Sequence, residues 1–157
     1  MSNGNRRHLR RAIELAQQAR EHGNHPFGAL LVDGDGNVVL EAQNTVRTDR
    51  DVTAHAETNL MRLASARFEP DYLERCTLYS STEPCAMCAG AIYWGNIRRV
   101  VFATSLEQIH AVSRGNPENM QLGLSSREVF ARGDHVVAVS GPHLPKESLA
   151  VHEGFWD

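Results

Sequence analysis

The feature that most restricts how this chain can fold is a set of three metal-ligand side chains divided between two segments, His55 in one and Cys85 with Cys88 in a later one. One imidazole and two thiolates suit zinc and leave its fourth tetrahedral position open to water. An open position points to catalysis rather than scaffolding, and only a fold that brings both segments to one point can use it. Glu57 stands two residues past His55, within reach of such a water, and a carboxylate is well suited to move protons to and from it.

The local sequence accounts for this spacing. Asp51 or Thr53 can cap a helix that continues through Leu60, Leu63 and Ala64, which puts His55 and Glu57 in its first turn. Pro84 suits the first turn of a second helix, with Cys85 and Cys88 on one face of it. Two helix N-termini then converge on one metal, and their positive ends favour the thiolate forms. Taken alone, such a histidine is an ordinary helix-start residue, such a glutamate is a solvated first-turn carboxylate, and a Cys-x-x-Cys pair is structural or redox-active. The conjunction is specific. A structural zinc would want a fourth Cys or His. The one cysteine left, Cys76, lies in the apolar run Cys76-Thr77-Leu78-Tyr79, which reads as a buried strand, so it is a packed free thiol.

A chain of 157 residues is one domain with room for a real core, and 41% hydrophobic with 22% charged residues is ordinary for a globular protein. Three cysteines, two of them ligands, imply no disulfide framework and suit a reducing cytoplasm. No apolar stretch is long enough to span a membrane. Arg6-Arg7 is followed by His8-Leu9-Arg10-Arg11, an amphipathic helix and not a twin-arginine signal core. The net charge of −3 argues against a protein that works by neutralising phosphates. The spacing of Leu9, Ile13 and Ala16 places at least part of the basic run Arg6, Arg7, Arg10 and Arg11 on a solvated helix face.

Along the chain, residues 6–22 read as a helix stopped by Gly23. Phe27 to Val32 and Val38 to Ala42 read as a hairpin turning at Asp33-Gly34-Asp35-Gly36. After the His55 helix come a strand at 76–81, the Cys85 helix to Trp94, a strand from Arg98 to Ala103 and a last one from Val136 to Ser140. Alternation of strands and helices argues for an α/β fold with a largely parallel sheet covered on both faces. Thr104 to Arg132, broken by Gly115, Asn116, Pro117 and Gly123, reads as a surface loop with short helical pieces. Pro145 opens a final helix to Val151. The ending Gly154-Phe155-Trp156-Asp157 reads either as a tail docked in a surface groove or as a lid over the active site, which makes 144–157 a C-terminal helix plus tail within the single domain 1–157.

On Pro26-Phe27-Gly28-Ala29, Asn44, Thr53-Ala54-His55-Ala56-Glu57, Glu83-Pro84-Cys85-Ala86-Met87-Cys88 and Gly90-Ala91-Ile92-Tyr93-Trp94, the chain resembles the cytidine/deoxycytidylate deaminase superfamily. Within it the chain is similar to the bacterial guanine deaminase and nucleobase deaminase branch, from the first helix to about Ala103. The resemblance implies a three-layer α/β/α sandwich around a five-stranded mixed sheet, one zinc per chain on His55, Cys85 and Cys88, and a homodimer. It also implies that Asn44 hydrogen-bonds the base, that the Ala56 N–H meets a ring carbonyl and that Phe27 packs the ring. Guanine deaminases of this branch carry an acidic residue after the fourth strand that engages the purine edge; Glu118 stands in that neighbourhood here, beyond Pro117. The ending is similar to that of fungal cytosine deaminases, which makes Trp156 and Asp157 substrate-side residues, and Trp94 is placed at the pocket mouth.

The activity implied is hydrolytic deamination of a free nucleobase or related amino-heterocycle, of guanine, isoguanine, cytosine or triazine type. Glu57 carries the protons as the catalytic acid–base. The rival is a tRNA adenosine-to-inosine deaminase, which has the same zinc motifs but a smaller aliphatic residue in place of Phe27, a His-containing segment in place of Tyr93-Trp94, and basic surface for an anticodon loop. Here the bulky aromatics narrow the pocket mouth and the charge is negative, so a small heterocyclic base and no nucleic acid is the expected partner. A catalytically silent zinc-binding assembly subunit is the reading from another class. Loss of the proton-carrying glutamate would mark it, and Glu57 is present.

Overall fold

The computed structural model describes residues 1–157. The first helix, α1 (Asn3–Glu21), starts three residues before its expected position because Ser2 caps it, the Ser2 hydroxyl accepting the Asn5 N–H at 3.0 Å. Gly23, at φ 89°, takes up the left-handed conformation just past its end. Leu9, Ala12, Ile13, Ala16 and Ala19 recur at helical spacing and are all buried.

Strand β1 (Gly28–Val32) and strand β2 (Val38–Gln43) form the expected hairpin, with the Asp33 carboxylate accepting the N–H groups of Asp35 and Asn37 at 2.9 Å each. The chain continues through α2 (Val46–Asp49), α3 (Ala56–Arg67), α4 (Pro70–Glu74), β3 (Thr77–Thr82), α5 (Ala86–Trp94), β4 (Arg99–Thr104), α6 (Leu106–Ser113), α7 (Ser126–Phe130), β5 (Ala138–Ser140) and α8 (Pro145–Ala150). The five strands form one sheet in the order β2-β1-β3-β4-β5.

The sheet is mixed rather than largely parallel. β1 runs antiparallel to both β2 and β3, while β3, β4 and β5 are parallel. Strand–helix alternation describes only the second half of the chain, where α5 carries the crossover from β3 to β4. The opening hairpin inserts β1 between β2 and β3 and reverses the direction there.

Every residue of β1 is buried, because helices cover both of its faces. Leu30 and Val32 join Leu9, Ala12, Leu15, Tyr79 and Val101 on the α1 side, with Leu144 and Val151 beside α8. Ala29 and Leu31 join Leu60, Ala64, Leu78, Ile92 and Val100 on the side of α3 and α5. Gly28 lets α1 approach closely: a Cβ there would lie 2.5 Å from the Ala12 carbonyl oxygen and 2.6 Å from the Ala16 nitrogen, both backbone atoms. The result is three layers, with α3 and α5 starting at the same edge of the sheet. No helix is long and apolar enough to cross a membrane.

Candidate active site

His55 and Cys85 are the residues immediately before the first turns of α3 and α5, each extended (φ −70°, ψ 157° and φ −67°, ψ 175°), and neither side chain caps its own helix. The expected caps are therefore corrected. Asp51 instead accepts the Thr53 N–H and hydroxyl at 2.9 and 2.7 Å, closing a turn before the helix, and Pro84 lies just outside α5. In both helices the position that a serine or aspartate would fill in order to bond the backbone holds a metal ligand turned outward. Thr58 holds the His55 carbonyl at 3.0 Å and also donates to the Thr53 carbonyl, fixing the approach to α3.

His55 Nδ1 lies 3.6 Å from Cys85 Sγ and 3.5 Å from Cys88 Sγ, and all three ligand atoms lie within 4.8 Å of one another. Zinc bonds of about 2.3 Å to sulfur and about 2.0–2.1 Å to nitrogen, at a tetrahedral angle, require N···S separations of roughly 3.6 Å. The residues fit zinc. The third thiol, Cys76, is fully buried and directed at the Tyr72 carbonyl, as expected of a packed residue. Its pKa is pushed up to about 11 by burial. Cys85, hydrogen-bonded by Cys88 and then by His55, is pulled down to about 4, while Cys88 is raised. Cys85 is thus the thiol these neighbours favour as thiolate.

Glu57, in the first turn of α3, is buried beside these ligands and lines the same cavity. Burial, and after it the negative charge of Cys85, raise its pKa to about 7. The cavity has a volume of about 530 Å³, ample for one heterocyclic ring system. Phe27, Asn44, His55, Glu57, Cys85 and Glu118 all face it. Asn44 is buried, and its Oδ1 accepts the Val46 N–H at 3.0 Å, so its Nδ2 is the free donor. Ala56, wholly buried as the first residue of α3, has no intrahelical acceptor for its N–H.

Three expected substrate-side residues lie elsewhere. Trp94 is 84% exposed at the far end of α5, outside the cavity. Its neighbour Tyr93 stacks on His135 at 4.3 Å and accepts the Asp134 N–H at 2.7 Å, so the pair does not narrow the mouth. They end the helix, eight and nine residues beyond Cys85, which puts them about 12 Å or more along its axis from that ligand. Trp156 is buried behind the cavity wall, its ring 5.3 Å from that of His25 and 6.2 Å from that of Phe27, with its indole N–H bonded to His152. Asp157 is exposed beyond it. Glu118 does face the cavity, yet Arg47 donates to both of its oxygens at 3.1 and 2.6 Å and His25 lies 3.3 Å away. Those bonds hold its pKa down at about 2.

The segment 104–132, expected as a surface loop, supplies much of the cavity wall through Leu106, Ile109, His110, Met120 and Leu122. Sequence reasoning also passed over His25, Arg47 and Glu83. A buried glutamate directly before Pro84-Cys85 was visible as part of a motif, but its partners lie beyond Thr104, where periodicity is weak.

This combination of layers, ligand set and buried carboxylate defines a zinc-dependent aminohydrolase. Residues 2–104 match the model of the cytidine and deoxycytidylate deaminase zinc-binding region, and the chain belongs to that family, whose zinc it has the residues to bind. It is 45% identical over 150 residues to a probable cytosine deaminase of Schizosaccharomyces pombe, covering 96% of this chain and 91% of that one. It is 45% identical over 96 residues to the guanine deaminase of Bacillus subtilis, 60% of this chain and 61% of the other. Among solved structures, guanine deaminase from Nitrosomonas europaea superposes with a TM-score of 0.75 at 26% identity, covering 92% of this chain and 80% of that one. A tRNA-specific adenosine deaminase of Haemophilus influenzae matches a shorter stretch, 42% identical over 97 residues, 62% of this chain and 56% of the other.

Proposed function

We propose that this chain deaminates a free nucleobase or a closely related amino-heterocycle by hydrolysis, releasing ammonia. The observation that carries the reading is the meeting of His55, Cys85 and Glu57 on one cavity with Phe27 and the free Asn44 amide, with buried Cys88 completing the ligand set. Zinc held by His55, Cys85 and Cys88 supplies a Lewis acid and a water acidified to a pKa of about 7. Glu57 takes a proton from the attacking water, delivers it to the ring nitrogen next to the amine-bearing carbon, and later protonates the departing amine. Water and the amino-heterocycle become the keto-heterocycle and ammonia. Asn44 Nδ2 and the Ala56 N–H, both donors, orient acceptors on the ring edge, and Phe27 packs its face.

A small substrate is preferred to tRNA on the net charge of −3. Arg47, which meets Glu118 at the cavity, is engaged by it at 2.6 Å, so it is not free to hold a phosphate there. The relatives' names favour guanine or cytosine. Isoguanine and aminotriazines present the same amine-bearing carbon. The reading extends to residues 1–157 as one catalytic unit, to a cytoplasmic setting suited to three free thiols, and to a homodimer. Trp94 and Val136, 84% and 83% exposed, are apolar surface such pairing would cover, which sedimentation velocity tests.

The deciding experiment measures ammonia release by the zinc-loaded chain from guanine, cytosine, isoguanine, an aminotriazine and an anticodon stem-loop at physiological salt. Turnover of at least one free base, with none of the stem-loop, is expected. Conversion of adenosine in the stem-loop alone would reassign the chain to tRNA. Failure with every substrate while zinc is bound would favour the silent assembly subunit.

A further inference from the structure

Glu83 is a buried carboxylate with no cationic partner, placed two residues before Cys85. Such a charge is costly unless several donors converge on it, and here three do. Oε1 accepts the N–H of Leu106 at 3.2 Å, and Oε2 accepts the N–H and hydroxyl of Ser126 at 3.0 and 2.7 Å. Leu106 and Ser126 are the first residues of α6 and α7. Ser105 and Ser125 cap those helices through later amides, those of Gln108 and Glu128. The first amide of each is left to Glu83. One carboxylate therefore joins the Cys85 loop to both ends of the segment that walls the cavity.

We propose that Glu83 is a positioning residue that fastens this wall, residues 105–130, to the Cys85 loop and so sets the affinity for the heterocycle. It acts through the wall and not on the reacting atoms. The chain between its two attachment points carries Ile109, His110, Met120 and Leu122 to the cavity, and with both ends anchored that side keeps its width. The inference rests on the deaminase reading for its kinetic consequence, but its structural part stands without a substrate.

The test uses the zinc-loaded full chain with Glu83→Gln, Ser126→Ala and Ser126→Thr. Backbone hydrogen exchange is followed with no substrate present, and kcat and KM are measured on guanine and cytosine. Glu83→Gln and Ser126→Ala should speed exchange over 106–113 and 117–124 by about tenfold or more. Each should raise KM by roughly tenfold, the scale of a lost hydrogen bond to a charged group, with kcat and zinc content little changed. Ser126→Thr, which restores the hydroxyl, should return KM towards wild type. Wild-type exchange across the wall in both disruptive variants, or a lower Tm with unchanged KM, overturns the proposal. If Glu83→Gln does not fold, the exchange rates of Ser126→Ala decide alone. A wild-type chain that converts neither base counts against the guanine or cytosine reading, while the exchange data still decide the role of Glu83.

Discussion

Replacing Glu57 with glutamine keeps the shape of the side chain and removes its ability to carry a proton. Positioned acid–base catalysis contributes about 10²–10⁴-fold, or roughly 3–5 kcal/mol of barrier, and the structure places this case at the upper end. Glu57 is buried beside the metal ligands and lines the cavity, so under saturating base the substrate itself keeps a buffer molecule from the same point. The other carboxylates facing the cavity are already engaged, Glu83 by Leu106 and Ser126 and Glu118 by Arg47 and His25. With no other carboxylate free to carry the proton, kcat should fall by about 10⁴-fold. Zinc should stay near one per chain, because Glu57 is not among the three ligands. Ammonia release under saturating base, with zinc measured by mass spectrometry on the same sample, gives both numbers. A zinc-loaded Glu57→Gln enzyme within tenfold of wild-type turnover would refute the proton-carrier role.

Cys88→Ala should lose the metal and, with it, part of the stability, seen as sub-stoichiometric zinc and a lower Tm. Deleting residues 155–157 removes buried Trp156 from its packing on His25 and Phe27. That should cost about 3–5 kcal/mol, read as a Tm lower by about 10 °C, while kcat is retained; unchanged Tm with a collapsed kcat would mark the tail as a lid instead. His152 is held neutral by burial, with its pKa lowered from 6.5 to about 4. The unfolded chain therefore binds the extra proton between those values, and stability should be full above pH 6.5 and decline towards pH 4 by up to about 3 kcal/mol. Denaturant titrations across that range should show a smaller decline in His152→Gln. Gly28→Ala drives a Cβ to 2.5–2.6 Å from the backbone of α1, and overpacking of that kind should cost about 1–3 kcal/mol, measurable by calorimetry.

The metal ligands were legible because their chemistry needs particular side chains at fixed spacing, and the hairpin was legible because Asp33 to Gly36 can do little but turn. Asn44 and Phe27 came from family resemblance; what only the structure adds is that the Val46 N–H occupies Oδ1 and leaves the other end of the Asn44 amide free. The wall was not legible. Its helices are short, their caps are serines that also suit loops, and the group that anchors them lies more than twenty residues earlier, in Glu83. Trp94 was misjudged because the resemblance fixes its place along the helix but not which way that face turns. Trp156 was placed on the substrate for a similar reason: an aromatic tail near a pocket can pack behind the wall as readily as over the ring.

The match to the family region stops at residue 104, the last residue of β4, and the metal ligands, Glu57, Phe27 and Asn44 all precede it. From Ser105 onward, one uninterrupted stretch of chain shapes the other side of the cavity and returns to the sheet at β5. The metal ligands with one side of the cavity, and the opposite side of the cavity, thus lie in consecutive parts of the chain, divided at a single peptide junction. A stretch of that kind can drift, lengthen or be exchanged between relatives while the reactive half stays intact. Grafting 105–132 from a guanine-specific or a cytosine-specific relative then exchanges that side of the cavity in one piece, while Phe27 and Asn44 stay in place, provided the incoming segment offers a Leu106-like amide and a Ser126-like hydroxyl for Glu83 to hold.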